Sequence, residues 1–140
     1  MRRTATLMLP VLTLVAALIS PVAAGAHHSF AMYDQTRTVT LKGAIKSFIW
    51  SNPHVVIWLL GASEAGGGPQ TWTVELTSPG NLERIGWSRD SLKPGDDVEM
   101  QILPLRSGAP GGAFKSAKIL ATGQVLVANW VQQSKTAAHP

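Results

Sequence analysis

The chain has no cysteine. That absence excludes disulfide staples, a thiolate metal site, a cysteine nucleophile and the lipid-bearing cysteine of a lipoprotein. Charge is also scarce: only 14% of residues are Asp, Glu, Lys or Arg. No apolar run approaches the roughly 20 residues of a comfortable membrane helix. There is one tyrosine, against five tryptophans. There is no G-x-S-x-G elbow, no phosphate loop and no zinc-type ligand quartet. The carboxylates show no paired spacing beyond turn and surface use. Nucleophilic and paired-carboxylate catalysis therefore have no support, and the expectation is a protein that is not an enzyme. A redox enzyme with a copper-holding N-terminus is the remote exception.

What is present begins with a targeting pattern. Met1-Arg2-Arg3 is a short positive start, Leu7 to Ile19 is apolar apart from Pro10 and Thr13, and Ala23-Ala24-Gly25-Ala26 is a run of small residues. Charge, apolar stretch and small-residue exit in that order predict a cleavable signal peptide over residues 1–26, and hence a periplasmic or secreted protein. Cleavage after Ala26 leaves His27 first; cleavage after Ala24 leaves Gly25-Ala26-His27 first. Removing Arg2 and Arg3 lowers the formal charge from +4 to +2. The remaining lysines are scattered, so nucleic acid is not the expected partner.

The remainder is long enough for one domain with a real core. An arm over residues 27–38 lacks clean periodicity and reads as extended. The domain is expected over residues 39–130, with a frayed tail over 131–140. Val39, Leu41, Gly43 and Ile45 alternate with polar or small residues and predict a half-buried strand running to about Trp50. Gly43 within it suggests a bulge or a tight bend. Ser51-Asn52-Pro53 is turn chemistry. The run from His54 to Leu60 is apolar at both phases, which predicts a central strand covered on both sides, with Trp58 a core residue. Residues 61–69 read as a flexible loop.

Trp72, Val74 and Leu76 mark a third strand. Ser78-Pro79, with Gly86 beyond, marks a short helix whose buried face is Leu82 and Ile85. Val98, Met100 and Ile102 mark a fourth strand. Residues 106–112 read as a second loop, and residues 114–123 as a fifth strand with Ala117, Ile119 and Ala121 on one face. In the tail, Val125, Val127 and Trp130 are the residues able to pack. The order β-β-β-α-β-β predicts a mostly β protein, a small five-stranded OB-fold-like Greek-key barrel with one short helix between strands 3 and 4. An open β-sandwich or roll is the alternative.

His27-His28-Ser29-Phe30, Val39-Thr40-Leu41-Lys42-Gly43, Trp50-Ser51-Asn52-Pro53-His54, Gly86-Trp87 and Pro94-Gly95-Asp96 together resemble a family of small exported bacterial proteins of uncharacterised function. The resemblance implies export and a one-domain architecture, and assigns no catalytic residue.

The chemistry on offer lies in the histidines. With His27 first, its amine and imidazole chelate Cu(II) together, and a second imidazole completes a T-shaped set. With Gly25 first, an amine, two amides and the His27 imidazole form a square-planar set for Cu(II) or Ni(II). His27, His28 and His54 are thus the candidate metal ligands, and copper the candidate ion. His54 opens the second strand, whereas the arm enters at the start of the first, roughly 35 Å away along a strand of that length. Asp34 is a candidate to orient an imidazole, or else simply starts a turn with Tyr33. The expected role is a non-catalytic binding domain. Its competitor is a domain that binds a periplasmic protein or small ligand through its barrel face, with the histidines incidental.

Overall fold

The computed structural model describes residues 30–128. The expected signal peptide, its two candidate cleavage sites, His27, His28 and Trp130 lie outside the described residues.

A 3-10 turn at Phe30–Met32 precedes β1 (Val39–Ile49), β2 (Val56–Ser63), β3 (Gln70–Glu75), α1 (Pro79–Glu83), β4 (Asp97–Pro104), β5 (Gly111–Ile119) and β6 (Val125–Val127). The first three strands form an antiparallel meander. β1 also pairs antiparallel with β4, and β4 with β5. A short parallel pairing of β3 with β5 closes the wall. The result is a five-stranded mixed barrel with the helix between strands 3 and 4, the OB-fold arrangement rather than an open sandwich. β6 extends β5 on its free stretch.

Alternation builds the interior. Leu41, Ile45, Ile57, Leu59, Trp72, Val74, Val98, Met100, Ile102 and Phe114 point inward and are buried, as period-2 side-chain placement requires. Strong coiling is permitted where Gly43 on β1 faces Gly61 on β2. A Cβ at Gly43 would run into the Leu60 carbonyl, and one at Gly61 into the Lys42 carbonyl. Gly43 therefore marks a close strand approach, and the bulge itself lies at Lys46, between Ile45 and Ser47.

Several expectations are corrected. β2 has strand neighbours on both sides but is covered on one face only. Its outward residues Trp58 and Leu60 are 42% and 50% exposed. An apolar run has no period to reveal which face is open, and here no layer of described residues covers the outer face. β2 also extends through Ser63, so the loop after it is shorter than expected. In α1, Pro79 holds the first turn, but the Ser78 side chain makes no capping bond. Leu82 is buried and Ile85 is exposed. A five-residue helix has one turn with which to face the core, and Trp87 and Leu92 fill the space beyond it.

β5 starts at Gly111, inside the expected second loop, because residues 111–113 pair with β3. It ends at Ile119, leaving Ala121 exposed in a turn. In β6 the phase is opposite to expectation: Leu126 pairs with buried Ala117 and is itself buried, while Val125 and Val127 face solvent. Cross-strand partners share a face, so Ala117 dictates the choice.

Barrel closure has one consequence for the site. A row across the wall runs from Ile49 to Val56, Glu75, Ala113 and Leu103. Leu103 follows Ile102, the partner of Val39. The row thus returns to β1 at its other end, about ten residues from where it left. The far end of β1 and its entry are thus linked by a row that crosses β2, β3, β5 and β4 in turn.

Candidate binding site beside the arm

The described part of the arm is fastened to the outside of the barrel. Tyr33 bridges Leu105, and the Asp34 amide donates to the Pro104 carbonyl at 2.8 Å. The Arg106 amide donates to the Met32 carbonyl at 2.9 Å, and the Arg106 Nε donates to the Ala31 carbonyl at 2.9 Å. Side chains complete the attachment. Tyr33, Leu103 and Ala113 are buried together, with Phe30 and Leu105 packed against them. The rings of Phe30 and Tyr33 meet edge to face at 5.8 Å. The stretch read as an extended arm therefore turns at Phe30–Met32 and becomes part of a small second core.

One polar contact crosses this core. The Tyr33 hydroxyl donates to Glu75 Oε2 at 2.7 Å, linking the arm to the end of β3. Burial, then the hydrogen bond to Glu75 and its negative charge, push the phenol far above its ordinary range, so Tyr33 remains a donor. Glu75 faces outward beside Val56 and Ala113. The linkage spans 42 residues of sequence, and nothing in local periodicity announces it. The only available hint was compositional: Tyr33 is the single tyrosine of the chain.

His54 lies at the same end of the barrel. It follows the cis Asn52–Pro53 peptide and precedes β2 by two residues. Neighbouring Val55 is buried and exchanges backbone hydrogen bonds with Leu76 and Thr77. His54 is partly buried and has a partner of its own. Val56, two residues on, is the strand partner of Glu75, the residue that Tyr33 holds. The 35 Å separation expected along β1 therefore does not apply: the arm reaches this end around the barrel, through closure, and need not run back along the strand.

Asp34 serves the turn. Its Oδ1 accepts from the Thr36 hydroxyl at 2.7 Å and from the Thr36 amide at 3.1 Å, and these two bonds lower its pKa. Among the described residues no three His, Asp or Glu side chains gather as a metal site. Of the three histidines singled out as metal ligands, His54 alone lies within the described residues.

Between the arm and the β4–β5 loop lies a cleft of about 230 Å³, lined chiefly by Met32, Tyr33, Glu75, Leu105, Ala109 and Pro110. Sequence reading missed it, because its walls come from three separated segments. A different feature lies farther along the outer wall. Ile49, Trp58 and Leu60 are 41%, 42% and 50% exposed on adjoining strands. Trp58 stands between Ser47 on β1 and Thr73 on β3, both too small to cover it.

Among the described residues no helix is long and apolar enough to cross a membrane. Comparison with curated proteins gives no match, and neither does comparison with solved structures. One protein family does match, over residues 15–115, a span that takes in β1 to β4 and half of β5. On that match the chain belongs to a family of unknown function, DUF6152.

Proposed function

We propose that this chain is an exported, non-catalytic binding domain that takes up copper through His27 and His28, with His54 as a further ligand. The observation that carries the reading is the Tyr33–Glu75 bond together with barrel closure. The arm is held at the end of β3 that pairs with β2 two residues after His54. His27 precedes Phe30 by three residues, a span of at most about 11 Å. An amine, one or two imidazoles and no thiolate form a donor set for Cu(II).

The test is a competitive Cu(II) titration of protein recovered after export, so that its N-terminus is the one the cell makes. One-to-one binding is expected, lost in His27→Ala and weakened in His54→Ala. Binding no tighter than that of a free peptide with the same first residues would overturn the proposal, since the fold would then add nothing.

A second reading is favoured by the outer wall. Ile49, Trp58 and Leu60 form an exposed apolar group on the curved face of β1 and β2. Such a group on a small domain suits a protein or ligand partner. Copper binding indistinguishable from that of the free peptide would move the assignment to this face.

A further inference from the structure

A half-buried carboxylate stands in the cleft beside the arm. Glu75 accepts the Tyr33 hydroxyl on one oxygen, and among the described residues no Lys, Arg or His forms an ion pair with it. A carboxylate offers about four acceptor positions, and Tyr33 occupies one. Arg106, on the neighbouring loop, directs its Nε to the Ala31 carbonyl. Withdrawing a carboxylate partly from water without a cation is unfavourable, and a cation entering the cleft would relieve that cost.

We propose that this cleft binds a small organic cation, a primary alkylammonium, with its ammonium on Glu75 and its carbon chain against Met32, Leu105 and Pro110. The volume of about 230 Å³ corresponds to roughly seven or eight water-sized spaces of about 30 Å³ each, enough for an ammonium and a short alkyl chain. Apart from Thr73, the side chains on the remaining walls are apolar, with Met32, Leu105, Ala109 and Pro110 on the side of the arm and loop. An anion would meet the carboxylate as a like charge. A neutral molecule of the same shape would displace its water and leave it unpaired. A bare metal ion would find one carboxylate and no imidazole among the described lining residues. The phenol of Tyr33 stays protonated and so donates to Glu75 rather than competing for the cation. None of the described lining residues is a histidine, so the two proposals call on different side chains for their ligands.

The experiment uses the exported protein in the presence of a chelator, so that copper plays no part. Backbone amide resonances are followed during titration with butylammonium, butan-1-ol and butyrate. Butylammonium should give saturable shifts at Thr73, Gly111 and Gly112, which line the cleft, while the alcohol and the acid give none over the same range. Glu75→Gln, which keeps an oxygen for Tyr33, should weaken butylammonium at least about tenfold, as expected for loss of a charge-assisted bond. The proposal is overturned if butylammonium produces no saturable shift, if butan-1-ol binds equally well, or if Glu75→Gln changes nothing. Should Glu75→Gln fail to fold, the contrast between butylammonium and butan-1-ol on the unsubstituted protein still decides.

Discussion

β2 and β3 each carry one tryptophan, and the two stand on opposite sides of the same wall. Trp72 points into the barrel, is 8% exposed, and donates its indole N–H to the Gly61 carbonyl at 3.1 Å. Trp58, one strand away, points out and is 42% exposed. Their local sequences give little warning of the difference. Trp72 sits among threonines, which fixes its phase, whereas Trp58 sits among Val, Ile and Leu, which hides it. The contrast shows that the inner face is constrained by packing, while the outer face is free to carry residues kept for other reasons. The arm complicates this division, because at Tyr33 the outer face acquires a cover and becomes a core in miniature.

The largest expected effect falls on the interior. Trp72→Ala removes a buried ring and leaves the Gly61 carbonyl without its indole donor, so it should cost about 3–5 kcal/mol in chemical denaturation. A cost below about 1.5 kcal/mol would mean that the barrel collapses around the gap, and the interior would not be the rigid side of the comparison.

The covered exterior should respond at an intermediate level, and with a pH signature. Tyr33→Phe removes a hydrogen bond to a carboxylate and should cost about 1–2 kcal/mol near neutral pH. The sign with pH follows from the raised phenol. A folded-state pKa above the ordinary value of 10.0 means that the contribution of Tyr33 is fully present below that value. It is lost as pH rises above it, because only the unfolded chain ionises readily there. As the chain has a single tyrosine, phenolate absorbance reports this group alone. It should appear only together with alkaline unfolding, and Tyr33→Phe should flatten the alkaline limb. Phenolate forming near pH 10 in the folded protein would show that the arm is not fastened as described.

These cases also mark what sequence can and cannot convey. Alternation in β1, β3 and β4 is legible because one face is apolar and the other polar. The β2 run from Val55 to Leu60 is apolar at every position and offers no phase. Leu126 is chosen over Val125 and Val127 by its partner Ala117, a contact across the sheet. The neighbourhood of His54 and Tyr33 depends on the row that passes from Ile49 round to Val39, a property of the closed barrel and of no single segment. Glu75 reads in sequence as the polar phase of a strand, and its role emerges only when the arm is laid over it.

The smallest effect is the one expected of Trp58, and it decides what the outer face is for. A ring that keeps 42% of its surface in water and is flanked by Ser47 and Thr73 has little packing to lose. Trp58→Ala should therefore cost less than about 1 kcal/mol, several-fold below Trp72→Ala measured in the same denaturant series. A cost of about 3 kcal/mol or more would erase the distinction between the two faces and return Trp58 to the core. A small cost has a sharper meaning. An exposed indole with Leu60 and Ile49 beside it lowers solubility without supporting the fold, so its presence is then accounted for by something that covers it rather than by stability. The same variant thus separates a residue that holds the barrel together from one that the barrel presents.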